Sequence, residues 1–224
     1  MTWASEPAGF VPTGTALTMR TMLGAYAGRE EQTRADAEAA LTASMRCGAH
    51  ILAVWPITAL AFLELSLENH EAALTTLKPL LRQLDKTPDA LEICTAPFVA
   101  DAVEALIRVD QLAEAETLIE RLERRGRLLD RPRLLAVGGR CRSMLLAVRG
   151  EVGAATKAAR QALAHHERLP MPLERARTQL VYGQLNRRQR RRNDASADIG
   201  AALRCSTISD ARRGALAHGT GRCA

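Results

Sequence analysis

The side chains that would do chemistry in this chain are unevenly spread. Five arginines sit in the stretch NRRQRRRNDA, Asn186 to Ala195: Arg187, Arg188, Arg190, Arg191 and Arg192. Clustered guanidinium groups displace counterions from nucleic acid, so the run is a candidate phosphate-contacting patch. The plainer reading is a solvated helix end, where cations also face the negative pole of the preceding helix. No aromatic residue interleaves the run and no second patch accompanies it.

The other reactive types do not assemble. His165 and His166 are neighbours in sequence, so on a helix they point about 100° apart and cannot share a metal. They are expected on a solvated face. His50 and His70 have no ligand partner nearby in sequence. The five cysteines, Cys47, Cys94, Cys141, Cys205 and Cys223, show no CxxC spacing, and an odd number argues for reduced thiols. Cys94 and Cys141 are expected to fill small core spaces. No G-x-x-x-x-G-K-[ST] occurs, and the Gly138–Gly139 pair in LLAVGGRCRSMLL reads as close helix packing. The sequence therefore points to no catalytic residues, no metal and no cofactor.

The elements that would carry these residues are helical. Of 224 residues, 47% are hydrophobic and only 3% aromatic, a mix that favours helices over strands. The net charge of +6 is local: residues 1–186 hold 22 basic and 22 acidic side chains, so the excess lies entirely in the last 38. That is a neutral protein with a basic end. The longest apolar run, ILAVWPITALAFL from Ile51 to Leu63, is 13 residues, short of the about twenty that span a bilayer. With no secretory signal at the start, the expectation is a cytoplasmic protein with no membrane contact.

A repeat organises the chain. LSLENHEAALTTL, LIRVDQLAEAETLI, LAVRGEVGAATKAA and GAYAGREEQTRADAEAAL each pass from a helix end through a polar or glycine turn into an Ala/Leu helix. LNRRQRRRNDASADIGAAL follows the same plan. Equivalent positions Ala35, Leu74, Ala115, Ala155 and Ala195 recur every 39 to 41 residues. Leu112, Ala115, Leu118, Ile119 and Leu122 form one buried stripe, and Val152, Ala155, Ala158, Ala159, Ala162 and Leu163 repeat it. Such pairs bury their open sides by stacking. The fold expected is all-α, an α-solenoid of TPR-like helical pairs with a repeat of about 40 residues. Pro56 and Pro79 are expected to kink or divide their helices. LDRPR at Leu129–Arg133 and LPMP at Leu169–Pro172 read as connections. No linker divides the region 1–203, although residues 1–15 are expected to be poorly ordered.

The stretch ERARTQLVYGQLNRRQRRRNDASADIGAAL, Glu174 to Leu203, resembles the C-terminal helical-repeat region of the large ATP-binding LuxR-family, MalT-like, transcriptional regulators. Glu174, Arg175, Ala176, Arg177, Thr178, Leu180 and Gly183 match the E-R-A-R-T-x-L-x-x-G run of that family. The likeness extends over most of residues 45–203. It implies a protein-interaction or signal-receiving scaffold in transcription regulation, with a protein partner on the repeat surface. In the family, an ATPase module precedes the repeats and a helix-turn-helix domain follows them. Neither pattern occurs here, so DNA binding through a helix-turn-helix lies outside this chain.

After Leu203 the apolar rhythm stops, and Arg204, Arg212, Arg213 and Arg222 appear among glycines. With 28 arginines against three lysines, the gene is expected to be G/C-rich. Suitable G/C-rich codons for residues 203–224, read two nucleotides later, yield a string with the L-G and P-W of the family pattern. Residues 204–224 are thus expected to be a disordered tail produced by a frameshift, and the helix before it to fray after about residue 195. The rival is a native short tail. Direct nucleic-acid binding by the basic end, and a truncated product without independent function, remain the alternative readings of the whole.

Overall fold

The computed structural model describes residues 10–46, 48–94 and 96–189. The expectations for residues 1–9, Cys47, Arg190–Arg192, Ala195, Cys205, Cys223 and the tail lie outside them. Among the described residues there is no strand. The helices are α1 (Phe10–Ala27), α2 (Glu30–Arg46), α3 (Val54–Ser66), α4 (His70–Lys86), α5 (Val99–Arg108), α6 (Leu112–Leu128), α7 (Pro132–Val148), α8 (Val152–His166) and α9 (Pro172–Arg188). A short 3-10 turn at His50–Ala53 leads into α3.

One turn joins the helices within each repeat, and it also closes α2 at Gly48 and α6 at Asp130. At the ends of α1, α3, α5 and α7 the backbone N–H of Arg29, Asn69, Gln111 and Glu151 reaches back five residues, to the carbonyls of Gly24, Glu64, Leu106 and Leu146 at 2.9–3.0 Å. The residue before each, Gly28, Glu68, Asp110 and Gly150, has φ between 62° and 83° and donates to the carbonyl three residues back. This two-bond arrangement satisfies carbonyls that a helix end leaves without donors. The next helix then starts at once, with the N–H of Thr33, Ala73, Ala115 and Ala155 bonded to the carbonyl four residues earlier. All four of these residues are fully buried.

Those positions are 40, 42 and 40 residues apart. They correct the sequence alignment in its first half: Thr33 and Ala73 hold the place expected for Ala35 and Leu74. The helix signal there is Ala-rich, and an Ala-rich run does not fix its own register. The two prolines are accommodated in different ways. The helix α3 begins at Val54, so Pro56 lies in its first turn, where no intrahelical N–H is needed. The helix α4 runs through Pro79 unbroken. Thr75 and Pro79 are both exposed, so water serves the carbonyl that proline leaves without a donor. The connections at 129–133 and 169–172 fall where α6 gives way to α7 and α8 to α9.

The described residues divide into two compact units, 10–85 with 93–101, and 86–92 with 102–189. In the first, α1 packs on α2 and α3, and α2 packs on α3. Its core joins Ala25 with Ala59, Phe62 and Leu63, and the rings of Tyr26 and Phe62 meet edge-on at 4.8 Å. In the second, α6, α7, α8 and α9 pack each on the next, and α7 also touches α9. A Cβ added at Gly138 would stand 3.3 Å from the Cβ of Leu122, and one at Gly139 would stand 3.1 Å from that of Ala162. The glycine pair thus lets α6 and α8 close on α7 from two sides, as close packing requires. No described helix is long and apolar enough to cross a membrane.

Candidate functional site: a buried polar row across α5, α7 and α9

The second unit carries a row of charges inside its helical layer. Arg140 on α7 is only 2% exposed. Its Nη1 donates to Oε2 of Glu174 on α9 at 2.6 Å and to the backbone carbonyl of Glu174 at 3.3 Å. Arg177, one turn along α9 and buried, reaches Oε1 of Glu174 at 3.5 Å and Oε2 of Glu104 on α5 at 3.2 Å. A buried charge is tolerated only when paired, and here each guanidinium has its carboxylate on another helix. Burial alone would raise the Glu174 carboxyl. The Arg140 and Arg177 guanidiniums outweigh it and hold the group well below the usual carboxylate range.

A neutral branch adjoins the row. His166, in the last turn of α8, is 4% exposed, and its Nε2 lies 3.0 Å from Oγ1 of Thr178 on α9. That hydroxyl donates to the Glu174 carbonyl at 3.0 Å, so its lone pairs face an Nε2–H. The ring therefore donates from Nε2. Burial, reinforced by Arg140, pushes its pKa down to about 4, which keeps the imidazole neutral near pH 7. The expectation of a solvated face fails for His166: the last turn of α8 rotates it onto α9, while His165 stays half-buried.

The remaining predicted residues are scattered. Arg187 and Arg188 are exposed in the last turn of α9, where cations favour the helix pole. Next to them, Gln189 Nε2 donates to the Val152 carbonyl at 3.3 Å and to Thr156 Oγ1 at 3.1 Å, tying the end of α9 to the start of α8. Cys141 fills a core space, and burial pushes its thiol up to about 12, which removes the thiolate a nucleophile needs. Cys94 is exposed, against expectation. Among the described residues no group of His, Cys, Asp and Glu is placed to hold a metal.

Charge also staples α6 to α7 at the surface. Arg142 bonds Glu123 at 3.0 and 3.1 Å and Glu116 at 3.1 Å, and Arg149 bonds Glu116 at 2.6 and 3.2 Å. The polar row escaped the sequence reading because its partners are far apart: Arg140 and Glu174 are 34 residues apart and Glu104 and Arg177 are 73 apart. One signal was present. Arg140 interrupts the apolar face of a helix whose residues Ala136, Val137 and Cys141 are buried, so its charge had to be answered from another helix.

The fold and the row together define an all-α helical-repeat protein with an internal salt-bridged seam. Comparison with known protein families, characterised proteins and solved structures finds no match.

Proposed function

We propose that the chain is a non-catalytic interaction or signal-receiving scaffold, the helical-repeat part of a LuxR-type transcriptional regulator. The resemblance rests on Glu174, Arg175, Ala176, Arg177, Thr178, Leu180 and Gly183. One observation carries the reading: five of these residues seat α9. Glu174 and Arg177 form the ion row, Thr178 meets His166, and Ala176 and Gly183 are buried. The motif thus has a packing role that a repeat array needs and a catalytic site does not. The recurring turn between helices supports the same reading, because stacked pairs present broad helix faces to partners.

Two experiments test it. A photo-crosslinking residue is placed in turn at the exposed positions Thr117, Lys157 and Gln184 of the chain expressed in its host. One defined protein adduct, restricted to some positions, is expected; no adduct above the irradiation control would remove the scaffold reading. Sequencing the gene and transcript downstream of the Ala195 codon tests the regulator part. A frame that continues into a helix-turn-helix is expected, and its absence ends that part alone.

The second reading, nucleic-acid contact through Arg187, Arg188 and the arginines after them, is favoured by the exposure of the first two. It expects DNA affinity that falls steeply with salt and is lost when the five arginines become glutamine.

A further inference from the structure

The helix α9 is held differently from α6 and α7. The helix α6 buries Leu118, Ile119 and Leu122, and α7 buries Leu134, Val137 and Leu145. The buried residues of α9 are Ala176, Gly183 and Leu185 beside the polar Arg177, Thr178 and Asn186. Its N-terminal half is fixed by the bonds from Arg140 to Glu174, from Arg177 to Glu104 and from His166 to Thr178. In the C-terminal half Leu185 meets Ala155 and Ala159, with Val181 and Tyr182 alongside.

We propose that α9 is a releasable element of the array, latched at its N-terminal half by neutral His166 and freed when that imidazole takes up a proton. The geometry gives the reason. The ring is enclosed, and the charged groups around it are Arg140 on α7, His165 on α8, and Glu174 and Arg175 on α9. Of these only Glu174 favours a cation, and its carboxylate is already engaged by Arg140 at 2.6 Å and Arg177 at 3.5 Å. An imidazolium in this place must draw Glu174 away from Arg140 or leave for water. Either move breaks the bonds that seat the N-terminal half of α9, while α6 and α7 keep their apolar contacts.

The low affinity of the docked ring for a proton agrees with this. When only the undocked state takes up the proton, undocking becomes easier as pH falls from about 6.5 toward 4. With those two values, the equilibrium for opening rises about thirtyfold between pH 7.5 and pH 5.

Hydrogen exchange of the full chain, expressed as protection factors so that intrinsic rates cancel, tests this. Peptides from 173–183 are expected to lose about thirtyfold in protection from pH 7.5 to pH 5, while those from α6 and α7 hold. The variant His166→Gln, which keeps an N–H for Thr178 but cannot be charged, is expected to abolish the loss. In the unmodified chain, the imidazole resonance of His166 should titrate together with the loss in α9, a check independent of any variant. Equal loss across α6, α7 and α9, or a pH response unchanged in His166→Gln, or His166 titrating near 6.5 without change in α9, would each overturn the proposal.

Discussion

Removing the carboxylate of Glu174 is the sharpest perturbation of this fold. Glu174→Ala deletes the 2.6 Å bond to Arg140 and the 3.5 Å bond to Arg177. Arg177 keeps Glu104 at 3.2 Å. Arg140, 2% exposed, keeps only a backbone carbonyl at 3.3 Å and cannot reach water without opening the helix layer. Breaking a buried pair by removing one partner costs about 3–5 kcal/mol, mostly the penalty of the charge left behind. Replacing both partners with apolar residues removes that penalty, so Arg140→Met with Glu174→Met is expected within about 1 kcal/mol of the parent. Urea unfolding of the parent, Arg140→Met, Glu174→Met and the double at pH 7.5 closes the cycle, with Glu174→Ala measured beside it. A coupling of about 3 kcal/mol is expected. If Glu174→Ala costs less than about 1 kcal/mol, or the double variant costs the sum of the singles, the row is ornamental and the reasoning fails.

Other consequences are quicker to check. Gly139→Val should cost about 1–3 kcal/mol in the same unfolding assay, because its Cβ would press on Ala162 at 3.1 Å before any branch is added. Asp110→Gly and Glu68→Gly should each raise stability by up to about 1 kcal/mol, since each now holds φ near 60° at a cost glycine avoids. Because the Glu174 carboxyl is held low, its contribution is complete above about pH 4.5 and is lost as pH falls below that; Glu174→Gln should flatten acid unfolding in that lower window. Under native conditions at pH 8 a maleimide should label exposed Cys94 and spare Cys141 until urea unfolds the chain.

Much of the architecture was legible because local chemistry encoded it. RGEVGAAT places a glycine suited to a helix stop directly before an Ala-rich start, and the turn at Gly150 follows; in LENHEAAL the polar break marks the same turn, although the left-handed place falls on Glu68 and not on Asn69. Register within an Ala-rich helix was not legible: Ala35 and Thr33 are two residues apart, and only the backbone bond to Arg29 shows which begins the turn. Burial of charge was equally hidden. His166 and Arg140 look like surface residues until the helices supplying Thr178 and Glu174 are set against them, and no local pattern specifies that meeting. Gly138 and Gly139 were readable because missing side chains in a helix already imply a neighbour pressed close.

The turn that ends α1, α3, α5 and α7 has a bearing on how such a chain changes over time. Its left-handed residue is exposed at all four sites, and its hydrogen bonds are drawn from the backbone within a few residues. Each reversal is therefore self-contained and asks nothing of the interior. A duplication or deletion of one period, about 40 residues cut at these corners, would carry its own punctuation with it and leave the reading of every other pair intact. Lineages built this way can lengthen or shorten by whole pairs, and selection then acts on which faces are presented rather than on whether the chain can turn.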